Sequence, residues 1–163
     1  MDPDIVLLPD GRYRLFYMYA GVIYSATSNY GINFVKENGV RFQGAAGETW
    51  MDPDVIKMGS VWRMFVWKAA ADASQVISTV SSDGLSFTKE SDLTTVGNIS
   101  CTIPVANGYR MYYVEAGAGI CSAFSSNGVS WTGEGVRLSD AADPTVIRLS
   151  SGTYKMFYKT IIP

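Results

Sequence analysis

The residues best suited to chemistry in this sequence are aspartates that recur in one setting. The chain opens with "MDPDIVLL", repeats it nearly as "WMDPDVIKM" at 50–58, and returns to it in part as "DPTVIRL" at 143–149. Asp2, Asp52 and Asp143 therefore each stand before a proline at the head of an apolar run. Carboxylates can serve as general acid and general base when their surroundings hold one protonated and the other ionised. The same dipeptide also has a structural use, because proline fixes φ, the Asp side chain accepts hydrogen bonds from nearby backbone N–H groups, and together they start a strand. Recurrence favours this second use, since a catalytic set assigns different residue types to different roles. Both readings remain open at this point.

Other chemistries are closed off by composition. Histidine is absent, which removes the Ser/His/Asp and Cys/His nucleophile systems together with the commonest metal ligand. Catalysis would have to rest on carboxylates, Tyr, Lys or Arg. Cys101 and Cys121 are the only thiols, too few for a four-ligand zinc site and without CxxC spacing. They read as free, apolar thiols on strands too far apart for a disulfide, and neither a metal site nor a cofactor is expected. Thirteen basic residues against fifteen acidic, with neither sign clustered, give no footprint for nucleic acid or an anionic membrane. There is no apolar run of about 18 residues and no basic stretch leading into an apolar core at the N-terminus, so neither a membrane span nor a signal peptide is expected.

The elements that must position the aspartates repeat with them. "YRLFYMY" (13–19), "WRMFVWK" (62–68), "YRMYYVE" (109–115) and "YKMFYKT" (154–160) begin 49, 47 and 45 residues apart, a period suited to propeller blades. Each follows a turn signal, "PDG", "GS", "NG" or "SSG", that itself follows a Val- and Ile-rich run, which reads as strand, hairpin, strand. A third strand is predicted at 21–28, 75–82 and 119–126. It leads into S-x-x-G-x-x-[FW], found at 28–34, 81–87 and 125–131, where Asp-Gly or Asn-Gly predicts a tight turn with both central residues at positive φ. The unit is a four-stranded antiparallel meander.

The second strands carry large apolar residues on both faces: Trp62, Met64 and Val66 on one, Phe65 and Trp67 on the other. Such strands must be covered on both sides, which stacked blades achieve and an open sandwich does not. The expected fold is an all-β, β-propeller-like single domain over 1–163, with blades at about 2–43, 52–96 and 100–138 and a half blade at 143–160. The half blade leaves an apolar edge strand open to pairing, so a homo-oligomer through that edge is expected.

"DPDIVLLPDGRYRLFY", followed by S-x-x-G-x-x-F, resembles the five-bladed β-propeller glycosidases of the arabinosidase, xylosidase and fructosidase type, including glycoside hydrolase family 43. The resemblance covers the chain as a repeat pattern and implies a general base at Asp2 and an orienting carboxylate at Asp52 or Asp143. It also implies a general acid, a Glu ahead of a proline, that this chain lacks. The third unit begins "NISCTIP", with Ser100 read as standing where the others have an acid, and none of Glu48, Glu90, Glu115 and Glu134 has the expected setting. Trp50 and Tyr30 offer aromatic rings that could stack on a sugar. The expectation is a glycosidase-like module with a carbohydrate or protein partner, non-catalytic as it stands. The alternative is a glycoside hydrolase, or part of one, completed by assembly.

Overall fold

A computed structural model of the chain describes residues 2–68 and 75–161, with the side chain of Ile99 excepted. Among the described residues the secondary structure is entirely β: fourteen strands in three four-stranded antiparallel sheets and one hairpin. The first sheet contains β1 (Asp4–Leu7), β2 (Tyr13–Tyr19), β3 (Val22–Ser28) and β4 (Val35–Lys36). The second contains β5 (Trp50–Met58), β6 (Val61–Lys68), β7 (Gln75–Ser81) and β8 (Thr88–Leu93). The third contains β9 (Asn98–Val105), β10 (Gly108–Glu115), β11 (Gly119–Ser125) and β12 (Thr132–Leu138), and the half blade pairs β13 (Ala141–Arg148) with β14 (Tyr154–Thr160). Strand order follows chain order in every sheet, as a blade requires. The chain divides into two compact units, Met1–Asp92 and Leu93–Pro163, where one domain was expected; the boundary falls at the end of β8.

In the first unit, the core is apolar residues from both blades. Phe16, Ile23, Met64 and Ile77 are fully buried, and Phe16 meets Phe87 edge to face at 6.0 Å between ring centres. β6 is buried along nearly its whole length, on both faces, as its two-sided apolar pattern requires. The chain between the blades is pinned by an antiparallel bridge from Ile23 to Phe42, and Phe87 N–H donates to the carbonyl of Arg41. In the second unit, β13 packs on β9 and β10, and Met111, Ile120, Ala123 and Ala141 are fully buried. Cys101 on β9 and Cys121 on β11 form no disulfide, with β10 between them. The Cys101 sulfur accepts the backbone N–H of Val146 at 3.2 Å.

The S-x-x-G turns differ from expectation in one respect. Only the glycines, Gly31, Gly84 and Gly128, have positive φ; Asp83 and Asn127 do not. The serine side chain closes the turn instead: Ser28, Ser81 and Ser125 Oγ accept the N–H of Gly31, Gly84 and Gly128 at 3.0, 2.9 and 2.8 Å. Asp83 and Asn127 then take up the next two N–H groups in their blades, so the side chains do what a paired positive-φ turn would otherwise do.

A polar clamp recurs in every complete blade. The arginine of the second strand forks onto a glutamate in the fourth, or in the first blade just after it, and this glutamate also accepts a serine hydroxyl from the third. In the first blade Arg14 Nε and Nη2 donate to Glu37 at 2.8 and 3.0 Å, and Ser25 Oγ at 2.6 Å. Arg63, Glu90 and Ser78 repeat this in the second blade, and Arg110, Glu134 and Ser122 in the third. The serine precedes the glutamate by 12 residues each time. The turn motif therefore belongs to a longer one, S-x2-S-x2-G-x2-[FW]-x2-E, at 25–37, 78–90 and 122–134. The Arg63 and Arg110 forks lower the pKa of Glu90 and Glu134, and for Glu37 the Ser25 and Arg14 donors outweigh the upward effect of burial.

Candidate functional site

Two of the three aspartate-proline pairs, Asp52–Pro53 and Asp143–Pro144, sit in β-bulges, whereas Asp2–Pro3 precedes β1. In the β5–β6 ladder Met51 faces Trp67 and Asp54 faces Phe65, so Asp52 and Pro53 together oppose the single residue Val66. The β13–β14 ladder repeats the feature, with Asp143 and Pro144 opposite Tyr158. Asp52 and Asp143 have φ of 51° and 53°, in the left-handed region that Asp tolerates better than most side chains. In β5 and β13 the dipeptide therefore kinks the strand near its start rather than extending it.

β9 has the same bulge: Cys101 faces Tyr112 and Asn98 faces Val114. Register then places residue 99, not Ser100, at the position of Asp52, while Ser100 aligns with Pro53. The expected alignment of "NISCTIP" is corrected by one residue. Its conclusion is unchanged, because an isoleucine supplies no acid.

Asp2 and Asp52 are brought together. Asp2 is exposed just ahead of β1, and its backbone N–H donates to Asp52 Oδ1 at 2.8 Å; Asp52 is 7% exposed. Two residues along each strand lies a second carboxylate, Asp4 and Asp54, which sequence reasoning passed over. Both face the buried aromatic of the neighbouring strand, Phe16 and Phe65 respectively. Asp4 Oδ2 accepts the N–H of Val55 at 2.7 Å and Oδ1 that of Ile5 at 2.8 Å. Burial, and after it the charge of Asp54, raise the Asp4 carboxyl to about 7, against the opposing pull of those two N–H donors. Near neutral pH the pair then holds a proton. The signal in the sequence was the second Asp of each "DPD", which at i+2 of a strand shares a face with the first unless a bulge intervenes.

The other expected residues are dispersed. Asp143 lies in the second unit, its Oδ2 4.0 Å from Lys159 Nζ. Tyr30 is 84% exposed, but it follows β3, so in this meander it lies at the opposite end of the blade from Asp2. Trp50 is at the same end as Asp2 yet only 4% exposed. Its ring packs edge to face on Phe42, lies under the Lys68 ammonium, and donates Nε1–H to Glu48 at 3.1 Å. It shows a sugar little of its face. It does line a hollow of about 420 Å³ with Phe42, Glu48, Gln75, Phe87 and Lys89. Glu48 is held down to about 2 by Lys68, Trp50 and the Ala45 N–H, so it is an ion-pair partner and not a proton donor.

No family model matches the sequence, and no curated protein does. Solved structures match it throughout. An α-L-arabinofuranosidase of Clostridium thermocellum superposes with a TM-score of 0.71 at 16% identity, over 94% of this chain and 59% of its own. A family 117 glycoside hydrolase of Zobellia galactanivorans gives 0.75 at 14%, over 98% and 66%. A family 32 β-fructofuranosidase of Bombyx mori gives 0.69 at 13%, over 95% and 41%. The chain thus spans about three fifths of the length of the first of these. At such identities the likeness is one of fold, and that fold, over about three and a half blades, is the one shared by the five-bladed β-propeller glycosidases.

Proposed function

We propose that this chain is a carbohydrate-recognition module of the glycosidase propeller type, one that does not hydrolyse its ligand unaided. The observation that carries the reading is the joining of Asp2 and Asp52 at the heads of adjacent inner strands, with no carboxylate at the corresponding place in β9. Carboxylates accept hydrogen bonds from sugar hydroxyls, whereas inverting hydrolysis needs a second carboxyl, held protonated, across a gap that admits water. Asp2 is the exposed member and touches the sugar; Asp52, through Asp2 N–H, positions it.

The structural neighbours named above act on arabinofuranosides and fructofuranosides, so arabinan, xylan and levan make a rational panel. Affinity electrophoresis is expected to show retardation by one of them, lost in Asp2→Ala, without release of reducing sugar. Failure of all three to retard the chain would sink the recognition reading. A second reading, hydrolysis, is supported by the proton held on Asp4 near neutral pH. Reducing sugar released by the wild type and not by Asp2→Ala would favour it over the first.

A further inference from the structure

The half blade contains the first two strands of the clamp and, among the described residues, neither of the others. Lys155 stands opposite Ile147, the register place that Arg63 holds opposite Ile56 and Arg110 opposite Ile103. Two residues on, Phe157 takes the place of Phe65. In the complete first and second blades that aromatic is 0% exposed, and in β14 it is 50% exposed. Tyr154 and Tyr158 are likewise open, and the Lys155 ammonium rests over the Phe157 ring at 5.0 Å. The strand has a pairing edge, an uncovered apolar face and a cation at the place where every complete blade pairs an arginine with a glutamate.

We propose that the outer edge of β14 is a docking site for a β-hairpin that carries S-x2-S-x2-G-x2-[FW]-x2-E and is supplied by a polypeptide other than these 163 residues. The hairpin adds as third and fourth strands. Its first serine lies opposite Phe157, as Ser25 lies opposite Phe16 and Ser78 opposite Phe65, and its glutamate reaches Lys155. Charge complementarity selects this occupant. All three copies of the motif in the chain are already clamped within their own blades, so none is free to fill the fourth. A second copy of the chain is a poorer partner through β14 itself. Full antiparallel overlap of Tyr154–Thr160 with its duplicate centres on Phe157 and sets Lys155 directly opposite Lys159, a like-charge pair. Main-chain pairing supplies affinity to an added strand, and the Glu–Lys contact supplies selectivity.

The test uses the 163-residue chain and a synthetic, fluorescein-labelled peptide of residues 75–93, which contains the motif and no cysteine. Fluorescence anisotropy is expected to show saturable 1:1 binding, weakened about tenfold by Glu90→Ala in the peptide. Lys155→Glu in the chain should weaken the wild-type peptide similarly, and a peptide with Glu90→Lys should recover the loss. Circular dichroism of Lys155→Glu checks that the chain still folds, which the exposed position favours. Absence of saturable binding, equal binding of the Glu90→Ala peptide, or no recovery in the charge swap would each overturn the proposal. So would sedimentation showing a chain dimer that excess peptide leaves intact.

Discussion

The Asp4 carboxyl makes the stability of the first unit depend on pH in a window above the ordinary carboxylate range. The chain has no histidine, and the raised carboxyl of Asp4 changes charge between pH 5 and 8. The folded carboxyl of Asp4 is raised from 3.8 to about 7, so within that window the folded chain holds more protons than the unfolded one. Stability therefore falls as pH rises through it and levels off above about 7. Each pH unit is worth about 1.4 kcal/mol at full difference in proton binding, which sets an upper bound of about 3 kcal/mol between pH 5 and 7. Because Asp4 is half-buried as a residue and only part of its shift comes from the charge of Asp54, a loss of about 2 kcal/mol is expected. The clamp glutamates act in the opposite sense, but their lowered pKa values confine their effect to acid below about 4.5. Urea unfolding followed by tryptophan fluorescence, in a Trp131→Phe background so that Trp50, Trp62 and Trp67 report the first unit, measures the profile. Asp4→Asn, which mimics the protonated acid, should flatten it. Asp54→Asn should only reduce its slope, because burial is the larger cause of the shift. A flat wild-type profile, or one parallel to that of Asp4→Asn, would refute the argument.

Two further outcomes follow from the clamp and the bulges. Glu90→Ala leaves Arg63, whose side chain is 10% exposed, without its fork and should cost about 3 kcal/mol, whereas Glu134→Ala beside the 34% exposed Arg110 should cost about 1 kcal/mol. Chemical denaturation of the two variants compares them directly, and equal losses would show that burial does not set the strength of the clamp. Asp143→Asn should be close to neutral, while Asp143→Val, forced to φ of 53°, should cost about 1 to 2 kcal/mol of the second unit's stability; no difference between them would remove strain as the reason for Asp at the bulge.

Much of the fold is readable from one feature, the aromatic-basic-aromatic second strand, because its two-sided apolar pattern fixes both strand and burial. The first strand pair of each unit, read from it, is present as β1–β2, β5–β6, β9–β10 and β13–β14. The bulges are not readable in the same way. A residue before proline ordinarily reads as extended, and only tertiary pairing against Val66 or Tyr158 reveals Asp52 and Asp143 in the left-handed region. That one-residue offset also explains why Ser100, not Ile99, looks from sequence like the missing acid. The clamp lay in plain view as a serine 12 residues before a glutamate, but its meaning depends on three strands lying side by side. Asp4 and Asp54 needed structure for a different reason: proximity across 50 residues sets their proton affinity, and spacing along one strand says nothing of it. Tyr30 and Trp50 illustrate the converse, since residue type suggested sugar stacking while position gave one the far end of the blade and the other a buried ring.

The clamp draws its arginine, serine and glutamate from a single blade. Each Arg–Glu pair is completed within its blade, and Arg14 Nη1 also donates to the carbonyl of Gly84 in the next blade at 3.3 Å. A stretch of about 45 residues can therefore be duplicated, deleted or recombined without leaving an orphaned ion in a neighbour, and a cut inside a blade exposes only one basic side chain. In the half blade the corresponding side chain is Lys155, a lysine where the other blades have arginines, and an ammonium tolerates water better than a committed fork. Repeat number in such folds is thus free to drift in units of one blade, or of one hairpin.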